Sequence, residues 1–170
     1  MAHGRTLVAY YSMTGHTRQL AEEIRTRLGQ GTDLENIREP RERRGALGLL
    51  GAMFHAAARS APAILPARFP PGAHDLLVLG GPIWMGRLAA PVRTYARSHG
   101  ASAPRIALSC TQGGNGAAAA FSEMERICGR TSFATLAVDG GYLPPSRHAT
   151  ALDAFIAALV RASPGRRDAG

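Results

Sequence analysis

Lysine is absent from this chain of 170 residues: the twenty cations are all arginine, set against twelve acidic residues. A basic balance attracts polyanions in general. Total exclusion of one cation type nevertheless points to a coding bias rather than a binding device, so nucleic acid is disfavoured as a partner. Cysteine is scarce too. Cys110 and Cys128 are too few for a disulfide framework and lack the paired spacing of a zinc site. If they flank one helix, as the pattern below indicates, they stand beyond the roughly 4.4–6.8 Å that a disulfide spans between Cα atoms, and reduced thiols are expected. No apolar run approaches the roughly 20 residues needed to cross a bilayer. Nor do residues 1–6 carry an apolar leader stretch, so a soluble cytoplasmic protein is the expectation.

What is present is an alternation of strand and helix patterns. Thr6–Tyr11 is a short apolar, partly β-branched run of the kind that is buried on both faces. After a break at Ser12–Gly15, Leu20, Ala21, Ile24 and Leu28 recur at helical spacing until Gly29. Further strands are expected at 33–38, 75–80, 105–110 and 132–138, and further helices at 89–99, 116–128 and 147–161. Such alternation predicts an α/β domain, a three-layer doubly wound sheet of five parallel strands in the order 2-1-3-4-5. The length suits a single domain over residues 1–162, followed by a flexible tail at 163–170. An insert at about 39–72 separates the second and third strands. It opens on a charged run, continues through a stretch in which Leu47, Leu50, Met53 and Phe54 fall on one helical face, and closes on Pro62, Pro66, Pro70 and Pro71. A connection of that length covers a site or meets a partner.

Ligands of open α/β sheets sit beyond the carboxyl ends of the strands, where the winding reverses. The loops after the first, third and fourth strands are each chemically distinctive. Ser12-Met13-Thr14-Gly15-His16-Thr17 sets hydroxyls and a glycine at a helix start, where side chains, amides and the helix dipole can converge on one phosphate. No lysine follows the glycine and the spacing is neither a Walker loop nor GxGxxG. A phosphate monoester suits the loop; a plain Ser or Thr helix cap suits it equally. His16 either assists a phosphate or faces solvent. The second loop, Gly81-Pro82-Ile83-Trp84-Met85-Gly86, holds the only tryptophan, which either packs in the core or stacks on a flat ligand. The third is Cys110-Thr111-Gln112-Gly113-Gly114-Asn115-Gly116. Its glycines either admit a heterocycle to backbone amides or make a flexible loop capped by Asn115. Cys110 reads as strand-end packing. His55, His74, His99 and His148 show no metal-ligand spacing. Asp139, Gly140, Gly141 and Tyr142 follow the last strand as a turn or a site rim.

Together these loops resemble those of the flavodoxin-like family, over nearly the whole chain from Thr6 to Val160. Ser12, Thr14, Gly15 and Thr17 match the family's Thr/Ser-x-Thr-Gly-x-Thr phosphate loop, and Pro82 and Trp84 its Gly-x-Pro-x-aromatic loop. The resemblance implies flavin mononucleotide (FMN) as cofactor. It places the phosphate on Ser12, Met13, Thr14, Gly15, His16 and Thr17, the isoalloxazine against the loop of Pro82, Ile83, Trp84, Met85 and Gly86, and the flavin's pyrimidine edge within Thr111, Gln112, Gly113, Gly114, Asn115 and Gly116. Two departures stand out. The family's electron carriers are usually acidic and often bring a second aromatic on the third loop; this chain is basic and has no aromatic between Cys110 and Ala120. The resemblance therefore implies an FMN-dependent oxidoreductase that takes electrons from NAD(P)H to a small quinone-like acceptor, or else an electron-transfer protein that serves a redox partner protein. The sequence is compatible with a homo-oligomer.

Overall fold

Every residue of Thr6–Tyr10 is buried, as the unbroken apolar run demands, and this segment forms strand β1. The computed structural model describes residues 4–40, 51, 61–139 and 148–162. After β1 come α1 (His16–Leu28), β2 (Thr32–Asn36), β3 (Leu76–Trp84), β4 (Arg87–Leu88), α2 (Ala90–His99), β5 (Ile106–Gln112), α3 (Ala117–Cys128), β6 (Thr135–Asp139) and α4 (Ala149–Ala162). The main sheet runs β2-β1-β3-β5-β6, all parallel, with β4 antiparallel to the end of β3. With β4 set aside, this is the expected 2-1-3-4-5 order. The sixth strand is a departure from the five expected: a two-residue hairpin arm carries too little sequence to show a period.

Period-two alternation divides the core between the two faces of the sheet. Leu7, Ala9, Leu77, Leu79 and Leu108 face Val92, Tyr95 and Ala96 of α2 and Phe121 and Met124 of α3. Val8, Tyr10, Val78, Leu136 and Val138 face Leu20 and Ile24 of α1 and Leu152, Phe155 and Leu159 of α4. No helix among the described residues is long and apolar enough to cross a membrane.

Of the helix expected from Leu47 to Phe54, Gly51 alone is among the described residues, and it is helical. The proline-rich exit from the insert lies within them and runs without regular structure to a single 3-10 turn at Pro71–Ala73. Buried Glu35 of β2 fixes this exit by accepting the Arg68 and Phe69 amides at 2.8 and 3.1 Å. Buried His74 is held between the Pro70 carbonyl, 3.0 Å from Nδ1, and Asp33 Oδ2, 2.9 Å from Nε2. Asp33 also accepts a bond from Arg5 Nη2 at 3.0 Å, and its pKa is lowered, chiefly by the His74 hydrogen bond, with burial opposing.

Candidate functional site

The chain leaves β1 for β2 on one side and later places β3 on the other, so the winding reverses between β1 and β3. The carboxyl ends of these strands, with that of the adjoining β5, bound the crevice where α/β sheets hold ligands.

Residues 12–15 form the turn between β1 and α1, and Gly15 is the N-cap at φ 96°, left-handed backbone that favours glycine. No side chain caps α1 and its first turn holds no acidic residue. The loop's hydroxyls are thus not spent on capping the helix. Ser12 Oγ accepts the Gly15 amide at 3.1 Å, which closes the turn, and Thr14 Oγ1 lies 3.4 Å from His16 Nδ1. Thr17 is buried instead, its hydroxyl 2.8 Å from that of Thr111 on β5. It ties the first loop to the third.

The second loop differs from the expected form. Gly81–Trp84 continue β3, and only Met85 and Gly86 make the turn into β4, at φ 51° and 73°. Positive φ at both central residues is the hairpin geometry whose twist matches that of the flanking strands. Met85 is the one non-glycine residue with positive φ among those described, and it is 65% exposed. The strand expected at 75–80 runs on past Gly80, although Gly-Gly-Pro ordinarily punctuates structure. Here small residues are required within the strand, since a Cβ on Gly81 would stand 2.6 Å from Val92 Cγ2. Ile83 is buried, and half-buried Trp84 meets Tyr11 edge to face, with ring centroids 6.1 Å apart and planes at 89°. The hairpin is anchored from below, where Glu123 of α3 receives Arg87 at 3.4 Å and the wholly buried Arg93 at 3.6 Å. Burial lowers the pKa of Arg93, and Glu123 opposes the shift.

The third loop also begins later than expected: Cys110, Thr111 and Gln112 belong to β5, leaving Gly113–Asn115 as the loop and Gly116 as the N-cap of α3 at φ 114°. Asn115 does not cap α3, because no side chain does. Gly116 lies so close to the hairpin that a Cβ there would stand 3.0 Å from Gly86 Cα. Gly113 and Gly114 face open space. Gln112 Nε2 donates to Asp139 Oδ1 at 2.6 Å, which brings the end of β6 to the same edge. Cys110 is wholly buried, its thiol pushed up to about 12 by burial above all and then by Asp139. That makes it packing, as read from the sequence. The other rim candidates, Gly140, Gly141 and Tyr142, lie outside the described residues.

The structure thus joins all three loops pairwise: Thr17 to Thr111, Gly116 to Gly86, and Tyr11 to Trp84. It also adds residues that sequence reasoning missed. An open concavity of about 280 Å³ is lined by Ser12, Met13, Thr14 and Gly15 together with Tyr10, Arg18 and Asn36. Asn36 ends β2, next to β1, and only the sheet order reveals its proximity. Arg18 carries a signal in the sequence, being a cation in the first turn of a helix, where anions are favoured.

No protein-family model matches the chain, and no curated protein matches it in sequence. Solved structures do. A flavoprotein from Lactobacillus acidophilus NCFM, in complex with FMN, superposes with a TM-score of 0.69 at 19% identity, over 88% of this chain and 99% of that one. A protein from Bacteroides eggerthii DSM 20697 gives 0.69 at 20% identity, over 89% and 98%. The fold is flavodoxin-like. An NADH:FMN oxidoreductase in its apo form shares this flavodoxin-like fold with a TM-score of 0.57 at 14% identity, over 96% of this chain and 92% of that one.

Proposed function

We propose that this protein is an FMN-dependent oxidoreductase that takes electrons from a reduced nicotinamide to a small quinone-like acceptor. The observation that carries FMN binding is the start of α1: a glycine-capped helix with no side-chain cap and no acid in its first turn, opening on a concavity lined by Ser12 and Thr14. The positive end of a helix dipole, beside hydroxyl groups, suits a terminal phosphate monoester. The remainder of the group fits as well. Trp84 meets Tyr11 edge to face and is only half-buried, which suits it to stack on a flat heterocycle. At the third loop, Gly113 and Gly114 leave open space for backbone amides to meet the heterocycle's polar edge.

When bound, FMN supplies one- and two-electron redox chemistry, and the protein positions it and controls access to it. The Thr17–Thr111 bond and the Gly86–Gly116 approach keep the loops at fixed separation, and the buried Leu88 and Ile83 support the hairpin from the core. The enzyme reading is supported by the glycine loop, which brings no ring to cover the outer face, and by the net charge of +8, suited to phosphorylated nicotinamides.

Steady turnover of NADH or NADPH with a soluble quinone tests the activity. Reduction only through a separate reductase protein would replace the enzyme with an electron carrier. A protein that stays colourless and takes up no FMN on reconstitution would overturn the reading altogether.

A further inference from the structure

The core stripe of α4 is Leu152, Phe155 and Leu159, buried with Leu20 and Ile24 of α1. Beside it, at the same helical spacing, runs a second stripe of Asp153, Ile156, Ala157, Val160 and Arg161, which lines an open concavity of about 440 Å³. Asp153 and Arg161 are the only charged residues of this 14-residue helix, whereas the neighbouring α1 carries Arg18, Glu22, Glu23, Arg25 and Arg27. Val160 is 46% exposed, one of three large apolar side chains left exposed among the described residues, with Leu65 and Met85. Apolar surface rimmed by charge is characteristic of a contact site.

The order of the charges identifies the occupant. Asp153 and Arg161 stand four residues to either side of Ala157, about 6 Å along the helix axis. A second α4 laid antiparallel across Ala157 therefore sets Asp153 against the partner's Arg161, and Arg161 against the partner's Asp153. A two-fold contact requires such self-complementarity, and a parallel pairing in register would oppose like charges instead. Ala157, the smallest residue of the stripe, falls at the crossing point, where a small side chain lets the helices approach, with Ile156 and Val160 flanking it. Asp153 is bonded to Arg27 through Oδ1, yet its side chain stays 65% exposed, and Arg161 has no ion-pair partner among the described residues.

We propose that the outer stripe of α4 is the contact of a two-fold homodimer, in which α4 lies antiparallel to its copy. One helical stripe on each side is small beside the roughly 1,200–2,000 Å² that stable complexes bury, so the dimer is weak and forms as concentration rises. It is independent of the flavin reading, because none of these residues belongs to the three loops.

The test is sedimentation equilibrium of the full-length protein from micromolar to millimolar concentration, on wild type, Val160→Asp, Arg161→Glu and Asp153→Lys, with circular dichroism to verify that each variant is folded. The wild type should pass from monomer to dimer across this range, and Val160→Asp should associate roughly tenfold more weakly or not at all. Arg161→Glu and Asp153→Lys each oppose like charges across their own two-fold axis and should likewise lose roughly tenfold in association. An equimolar mixture of these two variants should regain dimerisation, because each mixed dimer restores two pairs of opposite charge. A folded mixture that fails to associate while the wild type dimerises would overturn the proposal, as would a dimer indifferent to Val160→Asp. A wild type that stays monomeric throughout would overturn it too, leaving the stripe to residues 163–170 or to a different protein.

Discussion

Replacing Thr17 with valine removes one hydroxyl and little volume, and the structure says what that hydroxyl does. It lies 2.8 Å from the hydroxyl of Thr111, both residues are at most 9% exposed, and the bond joins the first loop to the third across the crevice. A buried hydroxyl that loses its partner costs about 1–3 kcal/mol, more than the bond itself contributes. Thr17→Val and Thr111→Val should therefore each destabilise the apoprotein by about 1–2 kcal/mol, or roughly 2–8 °C in melting temperature for a domain of this size. The double variant orphans no polar group and should cost clearly less than the sum, with a coupling of about 1 kcal/mol. FMN affinity provides the second readout: each single variant should lose it severalfold, because the loops are no longer held in register. Urea unfolding followed by circular dichroism gives the stabilities. Strict additivity of the two substitutions would refute the reasoning.

Other consequences are independent of that bond. Met85→Asn should stabilise the protein by about 0.5–1 kcal/mol, since asparagine tolerates the φ of 51° at the hairpin turn far better than methionine; a lower melting temperature would contradict the turn. Gly116→Ala combines strained backbone with a Cβ 3.0 Å from Gly86 Cα, and should weaken FMN binding as well as stability. Cys110 and Cys128 are buried, their thiols pushed up to about 12 and about 11 by burial; at pH 8 neither should react with a thiol reagent until the protein unfolds. Asp33 has a folded pKa below its unfolded one. Its stabilisation is complete above the ordinary carboxylate value of about 3.9 and is lost as pH falls through the lower folded value. The stability gap between wild type and Asp33→Asn should therefore be full at pH 6 and close toward pH 2, as measured by urea unfolding.

The central strands were legible in the sequence because burial on both faces leaves an unbroken apolar run, as in Leu7–Tyr10 and Leu76–Leu79. Helix α1 was legible because Leu20 and Ile24 repeat at its period. Strand ends were less so. Gly80, Gly81 and Pro82 resemble a break, yet β3 runs through them, since tertiary packing against Val92 and Ser109 requires small residues there. The hairpin was hidden by Met85, an unusual residue for positive φ. At the site, the loops could be found from their residue types, but not the division of labour within them. That Thr17 faces inward while Ser12 and Thr14 line the concavity follows from the pairing of β1, β3 and β5, as does the approach of Asn36 from β2. Arg18 could have been noticed as a cation at the wrong end of a helix.

FMN binding is tested most directly by the identity of the flavin that the protein retains. The measurement is reconstitution of the purified protein with an equimolar mixture of FMN and FAD, removal of unbound flavin, release of the retained flavin by heat, and its identification by chromatography, with Trp84 fluorescence recorded before release. FMN alone should be retained, with the tryptophan emission quenched in the holoprotein and restored on release. Retention of FAD, or of no flavin at all, would contradict the account.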